Sequence, residues 1–153
     1  MTNRTEKIII GVGVVAALGL CGIGFLVGAA VVGWKAAQRA GNEAATQQDL
    51  KTIAAVEIQY YNTHDRTFGT LDQVISENML SSKFSGTPPA ADGYVFILSV
   101  TPKTSSQPSS YTLNADPQGD NTGWKHFYID SNSSMIHFNP GQSAGATDPS
   151  PGG

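Results

Sequence analysis

Hydrophobic positions along this chain form one long unbroken run followed by short alternations. Residues 8–34 make up 27 positions without a charged side chain. A helix rising about 1.5 Å per residue covers about 40 Å with that run, more than the roughly 30 Å of a bilayer core, so the pattern predicts a tilted transmembrane helix. The run is too long for the apolar region of a secretory signal and ends in Val31, Val32, Gly33 and Trp34, without a small-x-small cleavage site. Residues 35–65 contain no proline and are rich in Ala, Gln and Glu, so the helix should continue through them. At 100° per residue Leu50, Ile53, Ala54, Ile58, Tyr60 and Tyr61 share one face, whereas residues 36–48 offer only alanines. The expected helix therefore has a membrane half, a thin exposed stem weakened at Gly41, and an amphipathic half. Glu57 projects into the packed face, where burial is costly without hydrogen bonds; backbone N–H groups of the loop after the helix are its expected donors.

Beyond the helix the period changes. "TLDQVISENML" predicts a short second helix, capped by Thr70 with Gln73 completing a capping box. "GTPPAADG" breaks the chain, and Asp92-Gly93 is expected to start a strand in which Tyr94, Phe96, Leu98 and Val100 alternate with Val95, Ile97 and Ser99. Further strands are predicted at 111–115, 125–130 and 135–139, joined by the turn compositions "DPQGDNTG" and "SNSS". Four short strands with no helix between them imply an antiparallel meander that buries one face on the long helix. The expected fold class is thus α+β, a long N-terminal helix packed on a four-stranded antiparallel sheet. Its boundaries are a short segment at 1–7, a transmembrane helix at 8–34, an ectodomain at 35–139 and a disordered Pro/Gly/Ser tail at 140–153.

Charge divides along the same line. Residues 1–40 hold four basic side chains against one acidic, a net of +3, and residues 41–153 hold five against eleven, a net of −6. An acidic ectodomain has no basic stripe for nucleic acid, while basic residues on both sides of the apolar run suit lipid headgroups. Orientation by charge is nearly a tie. The single cysteine, Cys21, permits no intrachain disulfide and reads as a small apolar thiol within the helix.

Particular motifs add a resemblance. "ATQQDLKTIAAVEIQYYNTHDRTFGTLDQVI", "GYVFILSV", "YTLNADPQ" and "KHFYIDSNSSMIHFNP", spanning about residues 43–140, resemble the globular half of type IV pilins and pseudopilins. The positions that carry the likeness are Asp49, Leu50, Thr52, Ile53, Glu57 and Tyr60, then Gly93, Tyr94 and Phe96, then Tyr111, Thr112, Ala115 and Pro117, and finally Phe127, Tyr128 and Asp130. The resemblance implies a pilin-like fold, and these are packing and turn positions. The N-terminal part departs from the family pattern, which has a basic leader ending in Gly and a Glu at the fifth mature position. No acidic residue occurs between Ile8 and Trp34; cleavage after Gly11, Gly13 or Gly22 would place Ala16, Leu18 or Val27 there.

Gly13, Ala17, Cys21, Gly24 and Gly28 recur at three- or four-residue steps, a small-residue stripe that lets membrane helices approach closely; the general abundance of Gly in such helices explains it equally well. His126 and His137 fall on neighbouring strands, as a metal pair or as ordinary surface histidines. Asn114, Asp116, Asp120 and Asn121 offer oxygen ligands that could hold calcium, and turn chemistry accounts for them equally. No other cofactor is expected. The chain has no G-x-S-x-G, P-loop or H-E-x-x-H pattern, so no enzyme is expected. The expected protein is a single-pass membrane protein with its ectodomain on the periplasmic or extracellular side, with a place in a surface filament as one expected setting. Its expected partners are the lipid bilayer and pilin-like subunits or its own copies. It would be a minor or non-processed subunit of a type IV pilus or a type II secretion pseudopilus; the alternative is a stand-alone tethered binding domain that does not polymerise.

Overall fold

The computed structural model describes the backbone of residues 4–151 and the side chains of residues 33–151. Helix α1 (Arg4–Thr63) precedes α2 (Leu71–Ser76) and a 3-10 turn (Ser82–Phe84). Five strands follow: β1 (Ala90–Ala91), β2 (Tyr94–Thr101), β3 (Ser110–Pro117), β4 (His126–Asp130) and β5 (Ser133–Asn139). The strands form an antiparallel meander in chain order. The chain divides between Ala37 and Gln38, and the packed unit described below is the second of the two.

The sheet therefore has five strands, which corrects the expected four. Asp92 and Gly93 take φ of 52° and 79°, the paired left-handed conformation of a tight hairpin turn. They fold Ala91 back onto Tyr94 and Ala90 onto Val95. An Asp-Gly pair read as the start of a strand is thus the turn between two, and its first strand is too short to show an alternation.

The expected membrane span is corrected as well. Among the described residues no helix is long and apolar enough to cross a membrane, which overturns the single-pass localisation and the transmembrane half of the fold class. The described part of α1 carries Lys35, Arg39, Glu43, Asp49, Lys51 and Glu57, a charge in almost every turn. The side chains of the apolar run, apart from Gly33 and Trp34, lie outside the described ones, as do those of the stripe of Gly13, Ala17, Cys21, Gly24 and Gly28.

Thr46, Asp49, Leu50, Ile53, Ala54, Glu57 and Tyr60 are the buried residues of α1, a 3.6-residue stripe that shares a core with Tyr94 and Phe96 of β2, Tyr111, Leu113 and Ala115 of β3, Phe127 and Ile129 of β4, and Ile136 of β5. Ile58, expected in that face, is 52% exposed; it sits at the edge of the arc that Glu57 centres. Packing also begins earlier than expected. The helix passes unbroken through Gly41, and Asn42, Glu43 and Thr46 are already in contact or buried, so the exposed stem is short.

Thr70 caps α2 by accepting from Gln73 N while the Gln73 side chain accepts from Thr70 N at 2.8 Å, a complete capping box. Leu71 and Val74 are the residues α2 buries. At the β4–β5 turn Asp130 Oδ1 accepts from Asn132 N at 2.8 Å and Ser133 N at 2.9 Å, which closes the turn without glycine.

Candidate functional site

Three polar constructions surround the core. The first is inside the helix face. Glu57 is fully buried; its Oε2 accepts from Gly69 N at 2.9 Å, and its Oε1 has no partner. Burial, only partly offset by that bond, raises its carboxyl from 4.5 to about 7. Nearby, Asp49 receives Lys83 Nζ on both oxygens, at 2.7 and 2.8 Å. Burial raises the Asp49 carboxyl, and the Lys83 ammonium pulls the other way. Both acids tie the helix to segments that follow it, Glu57 to the loop before α2 and Asp49 to the 3-10 turn.

The β3–β4 loop clasps the helix further up. Asn42 Nδ2 donates to Thr122 O at 2.8 Å, Glu43 accepts from Trp124 N at 3.1 Å and pairs with Lys125 at 3.4 Å, and the Arg39 guanidinium stands 4.9 Å over the Trp124 ring. Gly123 makes the clasp possible, because a Cβ there would run into the hydroxyl and ring of Tyr94. That hydroxyl donates to Lys125 O at 3.0 Å.

The third construction covers the face of the sheet opposite the core. Strand alternation puts Asn114 and Asp116, His126 and Tyr128, and His137 and Asn139 on that face. Residues 140–151, expected to be disordered, return along it. Asn114 Nδ2 donates to Ala144 O at 2.8 Å, and Ser143 Oγ donates to Asp116 Oδ2 at 2.6 Å. The other oxygen of Asp116 accepts from His126 Nδ1 at 2.6 Å. His137 Nδ1 donates to Asp148 O at 2.6 Å, and the Asp148 carboxylate accepts from Asn139 Nδ2 at 3.1 Å and Gly145 N at 2.8 Å. Phe138 N donates to Pro149 O at 2.9 Å, so the returning segment also occupies the edge of β5.

These placements separate the calcium candidates. Asn114 and Asp116 are engaged with the returning segment, while Asp120 and Asn121 are exposed in the loop that clasps the helix. Among the described residues no group of three or more His, Cys, Asp or Glu is placed to hold a metal. Ser143, Asp116 and His126 form a chain in which the hydroxyl bonds the carboxylate and not the imidazole, so it lacks the serine-to-imidazole bond of a hydrolase triad. The return of residues 140–151 was missed from sequence because its anchors are backbone carbonyls, the Ser143 hydroxyl and one aspartate, Asp148, within a Pro/Gly/Ser composition. Asp148-Pro149, a turn-forming pair, was the available signal. No protein-family model, curated protein or solved structure matches this chain.

Proposed function

We propose that this chain is a structural, assembly-type protein: a pilin-like minor or non-processed subunit of a type IV pilus or a type II secretion pseudopilus, working by packing against neighbouring subunits. The observation that carries the reading is where the residues of the resemblance fall. Leu50, Ile53, Tyr60, Tyr94, Phe96, Tyr111, Ala115 and Phe127 are core, Gly93 and Asp130 make turns, and Glu57 fastens the helix to the following loop. All serve a rigid helix-and-sheet body whose remaining surface is free to meet partners. The second reading is a stand-alone binding domain of the same kind that does not polymerise. It is favoured by the absence of any acidic residue between Ile8 and Trp34, since a filament built on the family pattern uses one to fix subunit register.

The test is the intact mass and N-terminal residue of the native protein, recovered from material sheared off the cell surface and from the cells left behind. A chain beginning at Val12, Val14 or Ile23 in the sheared filaments supports the subunit. A full-length chain found only with the cells overturns it and leaves the binding domain.

A further inference from the structure

The two histidines of the outer face are held in the same way. His126 Nδ1 lies 2.6 Å from a carboxylate oxygen of Asp116, and His137 Nδ1 lies 2.6 Å from the carbonyl oxygen of Asp148. Both partners are acceptors only, so each Nδ1 carries the proton, and in the neutral ring each Nε2 presents a lone pair. Neither Nε2 has a hydrogen-bond partner among the described residues. An acceptor behind Nδ1 is the arrangement that orients metal-ligating histidines and raises their basicity.

Strand register brings the two together. His126 faces Asn139 and Tyr128 faces His137 across β4 and β5, which makes the histidines diagonal neighbours on one face, about 7–8 Å apart and within reach of each other's long side chains. The electrostatics favour a cation. Asp116, Asp130 and Asp148 belong to the outer-face strands and the returning segment, and no Lys or Arg occurs after Lys125. His64 differs: its Nε2 is taken up by Glu77 at 3.0 Å.

We propose that His126 and His137 form a two-histidine site for a divalent transition metal of the Zn2+ or Cu2+ class, with water completing the coordination shell. Imidazole nitrogen suits these metals and not Ca2+ or Mg2+. Asp116 is a positioning residue, and the Asp148 carbonyl plays the same part for His137. Because that carbonyl belongs to residues 140–151, metal binding would fasten the returning segment to the sheet.

The test titrates the full chain with Zn2+ alone in a non-chelating buffer, read by calorimetry and by NMR of the imidazole nitrogens. The expected result is one saturable site at 1:1, with the Nε2 signals of His126 and His137 shifting together and that of His64 unmoved. His126→Gln and His137→Gln each weaken binding at least about tenfold, and Asp116→Asn weakens it about 10- to 100-fold while leaving the stoichiometry intact. Should either substitution disturb the fold, the wild-type NMR titration decides alone. No saturable site, shifts confined to one histidine, or shifts centred on His64 would overturn the proposal; Ca2+ competing equally with Zn2+ would do the same.

Discussion

Glu57 makes the stability of this domain fall as pH rises toward neutrality, against the behaviour of most carboxylates. Its carboxyl is raised from 4.5 to about 7 because it is fully buried with a single N–H donor on one oxygen and nothing on the other. An acid with a raised folded value binds its proton more tightly when folded. The resulting stabilisation is fully present below pH 4.5 and is lost as pH climbs through about 7. Working the linkage between pH 5 and pH 8 gives a loss on the order of 2–3 kcal/mol from this one group. The perturbation is Glu57→Gln, which keeps an oxygen for Gly69 N and removes the titration. The assay is urea unfolding of both proteins at half-unit steps from pH 4.5 to 8.5. Asp49 is also raised by burial and contributes a drop of the same sign, but it is common to both proteins, so the difference curve isolates Glu57. The variant should be less stable at pH 5, where its amide buries two unpartnered N–H donors in place of the acid's single O–H, and should close the gap or overtake the wild type by pH 8. Parallel curves over the whole range would refute the reasoning, because they would mean that Glu57 is equally ionised folded and unfolded.

The other expectations concern the fastenings around the core. Gly123→Ala drives a methyl into the Tyr94 hydroxyl and should cost about 1–3 kcal/mol by overpacking; combining it with Tyr94→Phe, which removes that oxygen, should recover part of the loss in a double-mutant cycle of melting temperatures. Lys83→Met leaves Asp49 buried without its cation. The half-exposed ammonium keeps the cost to about 2 kcal/mol, under that of a fully buried pair, and the cost should vanish in acid as Asp49 takes up a proton. Asp148→Ala removes the acceptors of Asn139 Nδ2 and Gly145 N. Amide exchange at Phe138, whose N–H is held by Pro149 O, should then accelerate at least about tenfold while the Leu113 amide is unchanged.

Elements whose cause is local were legible in the sequence. The α2 capping box needs only Thr70 and Gln73 at the right spacing, and β2 and β3 show their alternation because one face is buried or half-buried along its length. The amphipathic part of α1 was legible in period and largely in phase, since Leu50, Ile53, Ala54, Glu57 and Tyr60 are all buried; apolar counting added the exposed Ile58 and left out Thr46 and Asp49, polar residues whose burial only the fold supplies. The fifth strand was hidden for a different reason. Two residues cannot display a period, and only the left-handed pair Asp92-Gly93 marked it.

The outer face was the least legible region, and the reason bears on the candidate metal site. Residues 140–151 are anchored through the backbone carbonyls of Ala144, Asp148 and Pro149, the Ser143 hydroxyl and the Asp148 carboxylate, and carbonyls carry no sequence signal. Composition alone therefore predicted disorder for a segment with too few apolar residues to bury, although Ala144 is itself buried. The segment is held by polar satisfaction in place of hydrophobic area, and such bonds are individually worth about 1 kcal/mol. A covering held so weakly is one that a ligand can bias. Two imidazoles whose Nδ1 protons are fixed by the sheet and by the covering segment would bind a metal best when the segment is docked, so metal binding and docking must strengthen each other by the same factor. Asp148→Ala keeps the carbonyl but loosens its segment, and it should therefore weaken Zn2+ binding without touching either ligand. Unchanged affinity alongside accelerated Phe138 exchange would show that the histidines and the segment are independent.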